Sequence, residues 1–339
     1  MPSYLTQNIK PIVKRMLEES WQVRANERIL IVSDYPTAED FSSKDIELIE
    51  SMLDRNILAR RIYEVIKEIV PNTVDFYCME PTYEHYKNPD DQVLDEKINS
   101  SDIVFTLTEF SLTDVPMLLK ALEKKKIRHI SAPLVPPEVF LPGGPLDINY
   151  YEVEELTTKV FNLVQAAKNI EFQDIAGSNL KIKFKNPMKW IYESGFVSES
   201  GTVINLPSGE VTLEIPYKND ECKIDANLNI FPGWQEQMTQ LLTLSIKQNR
   251  LIDVVGGGKV GDHLQDLLKK EDVRVVQFGV GTNSMAKDPF SPTVADKYIG
   301  MAHIRFAPDY KYEHFYFPIS KVKINEKEYP RNELFEKSD

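Results

Sequence analysis

"YYEVEELTTKVFNLVQAAKNI", residues 150–170, decides how the rest of the chain is read. Its apolar residues recur at helical spacing, which predicts one long amphipathic helix. Before it, short runs rich in β-branched residues alternate with helical stretches: "RILIVS" (28–33), a helix over 44–69, "TVDFYCM" (73–79), "DIVFTLT" (102–108), a helix over 114–125, and "RHISAP" (128–133). Strand–helix alternation implies a parallel sheet with helices on its faces. The Pro-rich "APLVPPEVFLPGGP" (132–145) interrupts that rhythm. After the long helix the period changes to short alternating strands, among them "NLKIKF", "VINLPSGEVTLEIPY", "KIDANLNIF", "VRVVQFGVG", "YIGMAHIRF" and "HFYFPISKVKI", with one helix near 259–270. That pattern is largely antiparallel. The expected fold class is α/β: a Rossmann-like parallel-sheet domain over residues 1–170, then a largely antiparallel α+β domain over 171–339, with the long helix as the bridge.

A chain of 339 residues exceeds the usual size of one domain. Its 42% hydrophobic and 27% charged residues suit a water-soluble protein, and no apolar run approaches the roughly 20 residues of a membrane helix. The N-terminal segment "MPSYLTQNIKPIVKRMLEES" mixes charge with apolar residues and lacks a signal peptide's apolar centre. These features predict a cytoplasmic protein without membrane partners. A net charge of −12 repels phosphate backbones, so no nucleic-acid partner is expected. The one basic cluster, "KALEKKKIRH" (120–129), reads as a helix end where cations meet the negative pole of the dipole. Cys78 and Cys222 stand alone and read as buried thiols.

Two glycine-rich stretches resemble phosphate cradles without meeting their requirements. In "VVGGGKVGDHLQ" (254–265) Lys259 is followed by Val260 instead of Ser or Thr, which leaves a tight strand-to-helix turn. "FGVGTNSM" (278–285) lacks a third glycine and a following helical pattern, and reads as a turn.

The chemistry-bearing segment is "GMAHIRFAPDYKYEHFYFP" (300–318). A turn at Ala307-Pro308-Asp309-Tyr310 predicts a hairpin with His303 directly opposite His314. Alternation places Met301, His303, Arg305, Tyr312, His314 and Tyr316 on one face, and Ala302, Ile304, Phe306, Phe315 and Phe317 on the core face. Directly opposed residues have Cβ atoms about 4.5–5.5 Å apart, close enough for two imidazoles to share an ion or simply to pair as polar strand-face residues. In "NLPSGEVTLEIP" (205–216), Glu210 opens a strand just after a Ser-Gly turn, where its carboxylate can enter a cleft or stand in solvent.

These segments resemble the thermophilic metallo-aminopeptidases of the aminopeptidase T and S type and the related fold of 2,5-dihydroxypyridine dioxygenase. "VRANERILIVSD" looks like that family's first strand, and "SLTDVPMLLKALEKKKIRHISAP" resembles its Ser-Leu-Thr helix and following strand. Gly177-Ser178-Asn179-Leu180 is similar to its Gly-Thr-Asp-Leu strand, "LPSGEV" to its Pro-x-Gly-Glu-Val, "VQFGVGTN" to its Glu-Leu-Gly-x-Gly-Thr-Asn, and "DKYIGMAHI" to its Asp-Glu-Lys-x-Gly-Thr-x-His. The resemblance implies metal ligation by Glu210, His303 and His314. Gln277 takes the position of a ligand Glu, and Tyr316 that of the Asp in His-x-Asp. Replacing bridging carboxylates by neutral groups removes the charge that holds two divalent ions together, leaving one ion: zinc, cobalt, manganese or iron.

Three functions follow as expectations. The first is an aminopeptidase-type hydrolase of peptide or amino-acid-like substrates, with Glu210 as ligand or base and Tyr310 or Tyr316 supporting the oxyanion. The second is a degenerate relative that binds a peptide or modified amino acid. The third is a mononuclear iron ring-cleaving dioxygenase. The resemblance further implies a homodimer.

Overall fold

The computed structural model describes residues 2–218, 220–233, 238–287, 292–308 and 314–335, with side chains from residue 8 onward apart from Pro292. The chain forms two compact units, Met1–Tyr150 with Gly195–Ser208, and Tyr151–Ser194 with Gly209–Asp339.

Along the chain the strands are β1 (Ile29–Asp34), β2 (Val74–Met79), β3 (Ile103–Thr106), β4 (Arg128–Ser131), β5 (Asn169–Gln173), β6 (Asn179–Phe184), β7 (Trp190–Glu193) and β8 (Val203–Asn205). There follow β9 (Glu210–Glu214), β10 (Cys222–Ile230), β11 (Leu242–Lys247), β12 (Arg250–Gly256) and β13 (Arg274–Gly281). The last are β14 (Met301–Ala307), β15 (His314–Pro318), β16 (Lys321–Ile324) and β17 (Lys327–Pro330).

The first unit carries a five-stranded sheet of order β2-β1-β3-β4-β8, parallel throughout. Every residue of β1, β3 and β4 is buried, as expected for near-continuous apolar strands covered on both faces. Leu30, Val32 and Val104 pack on one face against Leu94 and Ile98 of the helix Gln92–Asn99 and Leu118 and Leu122 of the helix Pro116–Glu123. On the other face Phe105 meets Trp21 with ring centroids 5.3 Å apart. Local chemistry fixes the helix starts: Asp91 accepts from the Leu94 N–H at 2.9 Å, and Pro116 occupies the first turn, where its missing N–H has no cost. Cys78 corrects the expectation of two buried thiols, for it is exposed on the edge strand β2, whereas Cys222 is buried on β10.

The second unit is an antiparallel sheet of twelve strands in the order β15-β14-β13-β12-β11-β10-β6-β5-β16-β17, with β9 pairing both β13 and β7. Strand β10 alternates buried and outward residues along nearly its whole length, so one face is core. Val160 and Val164 of the helix Tyr150–Gln165, and Val260 and Leu264 of the helix Lys259–Leu268, cover that core. The helix expected as a bridge thus contributes its apolar stripe to the second unit.

Two local readings change. The segment "VINLPSGEVTLEIPY" does not stay in one sheet: β8 joins the first unit in parallel with β4, and β9 enters the antiparallel sheet. "FGVG" is strand instead of turn, because its glycines admit close neighbours. A Cβ at Gly281 would lie 2.3 Å from the Tyr298 carbonyl oxygen. By contrast Gly256, Gly257 and Gly258 all have positive φ, and they form the expected turn into the helix at Lys259. Among the described residues no helix is long and apolar enough to cross a membrane.

Candidate metal centre

The histidine hairpin is built as alternation requires, in a different register. His303 pairs with Tyr316 and Arg305 with His314, so His303 and His314 are diagonal neighbours instead of directly opposed. The ladder is displaced by two residues from the expected pairing; residues 309–313, with Asp309 and Tyr310 of the expected turn and with Tyr312, lie outside the described residues. A shift of two preserves the faces, since the side-chain period is two. Ala302, Ile304, Phe306, Phe315 and Phe317 are accordingly buried in the core, and His303, His314 and Tyr316 share the other face. The two imidazoles lie parallel, 5° apart in plane, with centroids 5.3 Å apart.

A third donor arrives from outside the hairpin. The short helix Pro292–Ala295 buries Val294 and Ala295, and the chain then turns through Asp296 and Lys297. This turn is pinned where the Asn283 N–H donates to the Lys297 carbonyl at 2.8 Å and the Ile299 N–H to the Asn283 carbonyl at 3.1 Å. Asp296 Oδ1 then sits 2.9 Å from His314 Nδ1 and 3.7 Å from His303 Nδ1. One donor atom from each of Asp296, His303 and His314 lies within 4.8 Å of the others.

Burial alone would raise the Asp296 pKa, but His314 and His303 beside it, with hydrogen bonds from His314 and Tyr316, outweigh burial and hold it at about 2. Burial has the opposite consequence for His303: it pushes the imidazole down to about 3, with the charge of Asp296 only partly opposing it. Asp296 is therefore anionic and His303 neutral near pH 7, the forms that bind metal ions. Neither ring nitrogen of His303, which is 1% exposed, makes a hydrogen bond of good geometry, although carboxylate oxygens of Glu210 and Asp296 stand 3.2 Å from Nε2 and 3.7 Å from Nδ1. Such orphaned atoms in a buried ring are unusual unless an additional partner satisfies them. Two imidazole nitrogens and a carboxylate oxygen within 4.8 Å of one another are a donor set of the kind that holds a single divalent ion with open positions.

Glu210 opens β9 on the opposite flank of β13. Gly279 of β13 lies between Thr212 of β9 and His303 of β14, and a Cβ there would come 2.2 Å from His303 Cε1 and 2.8 Å from Glu210 Oε1. The missing side chain lets Glu210 Oε1 approach His303 Nε2 to 3.2 Å across the intervening strand. Glu210 also pairs with the Lys297 ammonium and accepts from the Thr212 hydroxyl. Lys297 Nζ reaches Glu193 Oε2 at 3.2 Å as well.

Of the residues singled out by sequence, the fold thus brings Glu210, His303, His314 and Tyr316 into one neighbourhood. Gln277 stands on β13 opposite Arg305 and Glu214, and its amide donates to the Glu214 carboxylate. The residues that sequence reading missed are Asp296, Lys297 and Glu193. The first two open the quoted segment "DKYIGMAHI", seven and six positions before His303, which was the available signal.

Comparison with solved structures finds the same fold in 2,5-dihydroxypyridine dioxygenase from Pseudomonas putida KT2440. The TM-score is 0.66, with 14% identity over 95% of each chain. No family model matches the sequence, and no curated protein matches it.

Proposed function

We propose that this protein is a mononuclear metal-dependent enzyme in which Asp296, His303 and His314 hold one divalent ion. The observation that carries the reading is the proximity of these three donors, within 4.8 Å of one another, with neither nitrogen of buried His303 engaged in a hydrogen bond of good geometry. Two histidines and one carboxylate are the ligand set of non-haem iron(II) oxygenases, so oxidative cleavage of a dihydroxylated aromatic ring is the activity to be tested first. The fold shared with a 2,5-dihydroxypyridine dioxygenase supports that choice of substrate class. Bound iron(II) would supply oxygen activation. The protein's own residues fix the ligand geometry: Tyr316 and His314 hydrogen-bond Asp296, and Gly279 keeps the space beside His303 open.

Aminopeptidase-type hydrolysis is the second reading, favoured by Glu210 in its Pro-Ser-Gly-Glu-Val setting beside His303. The ion pair with Lys297 weakens the case for Glu210 as a base, because a neighbouring cation disfavours proton uptake by the carboxylate.

Elemental analysis of protein purified without chelator separates the possibilities. Iron with oxygen uptake on a dihydroxypyridine or catechol supports the oxygenase. Zinc, cobalt or manganese with cleavage of aminoacyl amides supports the hydrolase. Absence of any stoichiometric ion after metal addition leaves the binding-protein reading.

A further inference from the structure

Glu193 and Glu210 face each other directly across the β7–β9 ladder. Like charges directly opposite on a sheet repel, and here Glu210 is 4% exposed, so water screens the pair poorly. Lys297, itself 6% exposed, places its ammonium against both carboxylates. A buried lysine is uncommon unless paired, and this one is paired twice. The same Glu210 carboxylate reaches His303 through its other oxygen.

We infer that the Lys297 ammonium stands where a second metal ion would otherwise bind, so that the site is built for one ion and one tethered cation. The inference rests on the mononuclear reading above. Formal charge supports it: three carboxylates, Asp296, Glu193 and Glu210, face the Lys297 ammonium and one divalent ion, whose imidazole ligands add no charge once they coordinate it. A second divalent ion alongside Lys297 would leave the enclosed site with two excess positive charges and Glu210 with no free oxygen to offer. The lysine therefore enforces single-ion stoichiometry through two glutamates that it withholds from metal. Its connection to the chain matters as much as its charge, because Lys297 adjoins Asp296, and the turn that delivers the third ligand also delivers the blocking cation.

Removing the ammonium should open the second position. Lys297→Met keeps side-chain length and deletes the charge, leaving two opposed carboxylates that attract a hard divalent cation. The experiment is titration of chelator-stripped protein with Mn²⁺, followed by calorimetry and by electron paramagnetic resonance, which distinguishes an isolated ion from a spin-coupled pair. Expected are one equivalent in wild type, two with a coupled-pair spectrum in Lys297→Met, and one again in Lys297→Met combined with Glu210→Gln. If Lys297→Met is folded only when Mn²⁺ is present and then holds two equivalents, the inference stands. If it holds one equivalent, or stays unfolded with Mn²⁺, Lys297 is not a surrogate cation, although one equivalent in wild type preserves the mononuclear reading. Zero equivalents in wild type would remove both, and two in wild type would overturn the inference outright.

Discussion

His303 faces Tyr316 across the β14–β15 ladder while His314 faces Arg305, so the two imidazoles meet on the diagonal with their rings parallel at 5.3 Å. The diagonal leaves Tyr316 beside both, where it donates a hydrogen bond to Asp296 and helps hold the carboxylate against His314.

Loss of any one donor should abolish stoichiometric metal. For His303→Ala, His314→Ala and Asp296→Asn, calorimetry with Mn²⁺ or Fe²⁺ should register affinity losses above about 100-fold, because two remaining ligands hold a divalent ion poorly. Tyr316→Phe removes a supporting hydrogen bond and should weaken binding by roughly 10–100-fold. Gln277→Ala should leave affinity unchanged, since its amide is engaged with Glu214. A Gln277 variant that lost the ion would place the site elsewhere along β13.

Gly279→Ala tests the gap across the central strand. A methyl group 2.2 Å from His303 Cε1 cannot be accommodated without moving the ring. Overpacking of this kind costs about 1–3 kcal/mol, and metal affinity should fall with it. Unchanged melting temperature and unchanged affinity would mean that Glu210 and His303 do not approach each other through this gap.

On the other face of the same strand, Phe278 is fully buried, with its ring 4.8 Å from that of Phe172. Phe278→Ala should cost about 3–5 kcal/mol in urea unfolding. Ile252→Ala, at a residue 56% exposed on β12, should stay within roughly 0.5 kcal/mol. Similar losses at both positions would contradict the assignment of the two faces.

Asp34, at the end of β1, is 1% exposed and accepts the Glu109 N–H with both oxygens, at 3.0 and 2.9 Å. Burial raises its pKa from 3.8 to about 7, although Arg55 nearby opposes the rise. Between those values the native state keeps a proton that the unfolded chain has released. This group's contribution is therefore complete below about pH 4 and is lost as pH rises through 7. Asp34→Asn should match wild type near pH 4 and exceed it by about 1–3 kcal/mol at pH 8. Urea unfolding at both pH values checks the sign; a variant less stable at pH 8 than at pH 4, relative to wild type, would refute it.

The sequence alone determined what depends on local period. "RILIVS" and "DIVFTLT" had to be covered strands, and the alternating runs after the helix at 150 had to lie with one face in a core, because backbone geometry fixes which side chains share a face. For the same reason His303 and His314 were legible as residues of one face even though their register was displaced: a shift by two residues leaves parity intact. Tertiary structure decided everything that requires one segment to find another. β8 and β9 are separated by only four residues, yet they enter different sheets, and no local pattern records which edge each will meet. Asp296 and Lys297 follow a four-residue helix with no distinguishing period of its own. They reach His303, His314 and Glu210 only when Asn283 pins that turn and when β7 brings Glu193 against Glu210. Charge acts through space on whatever folding brings near, so the choice among the chain's many carboxylates belonged to the tertiary structure and not to the order of residues.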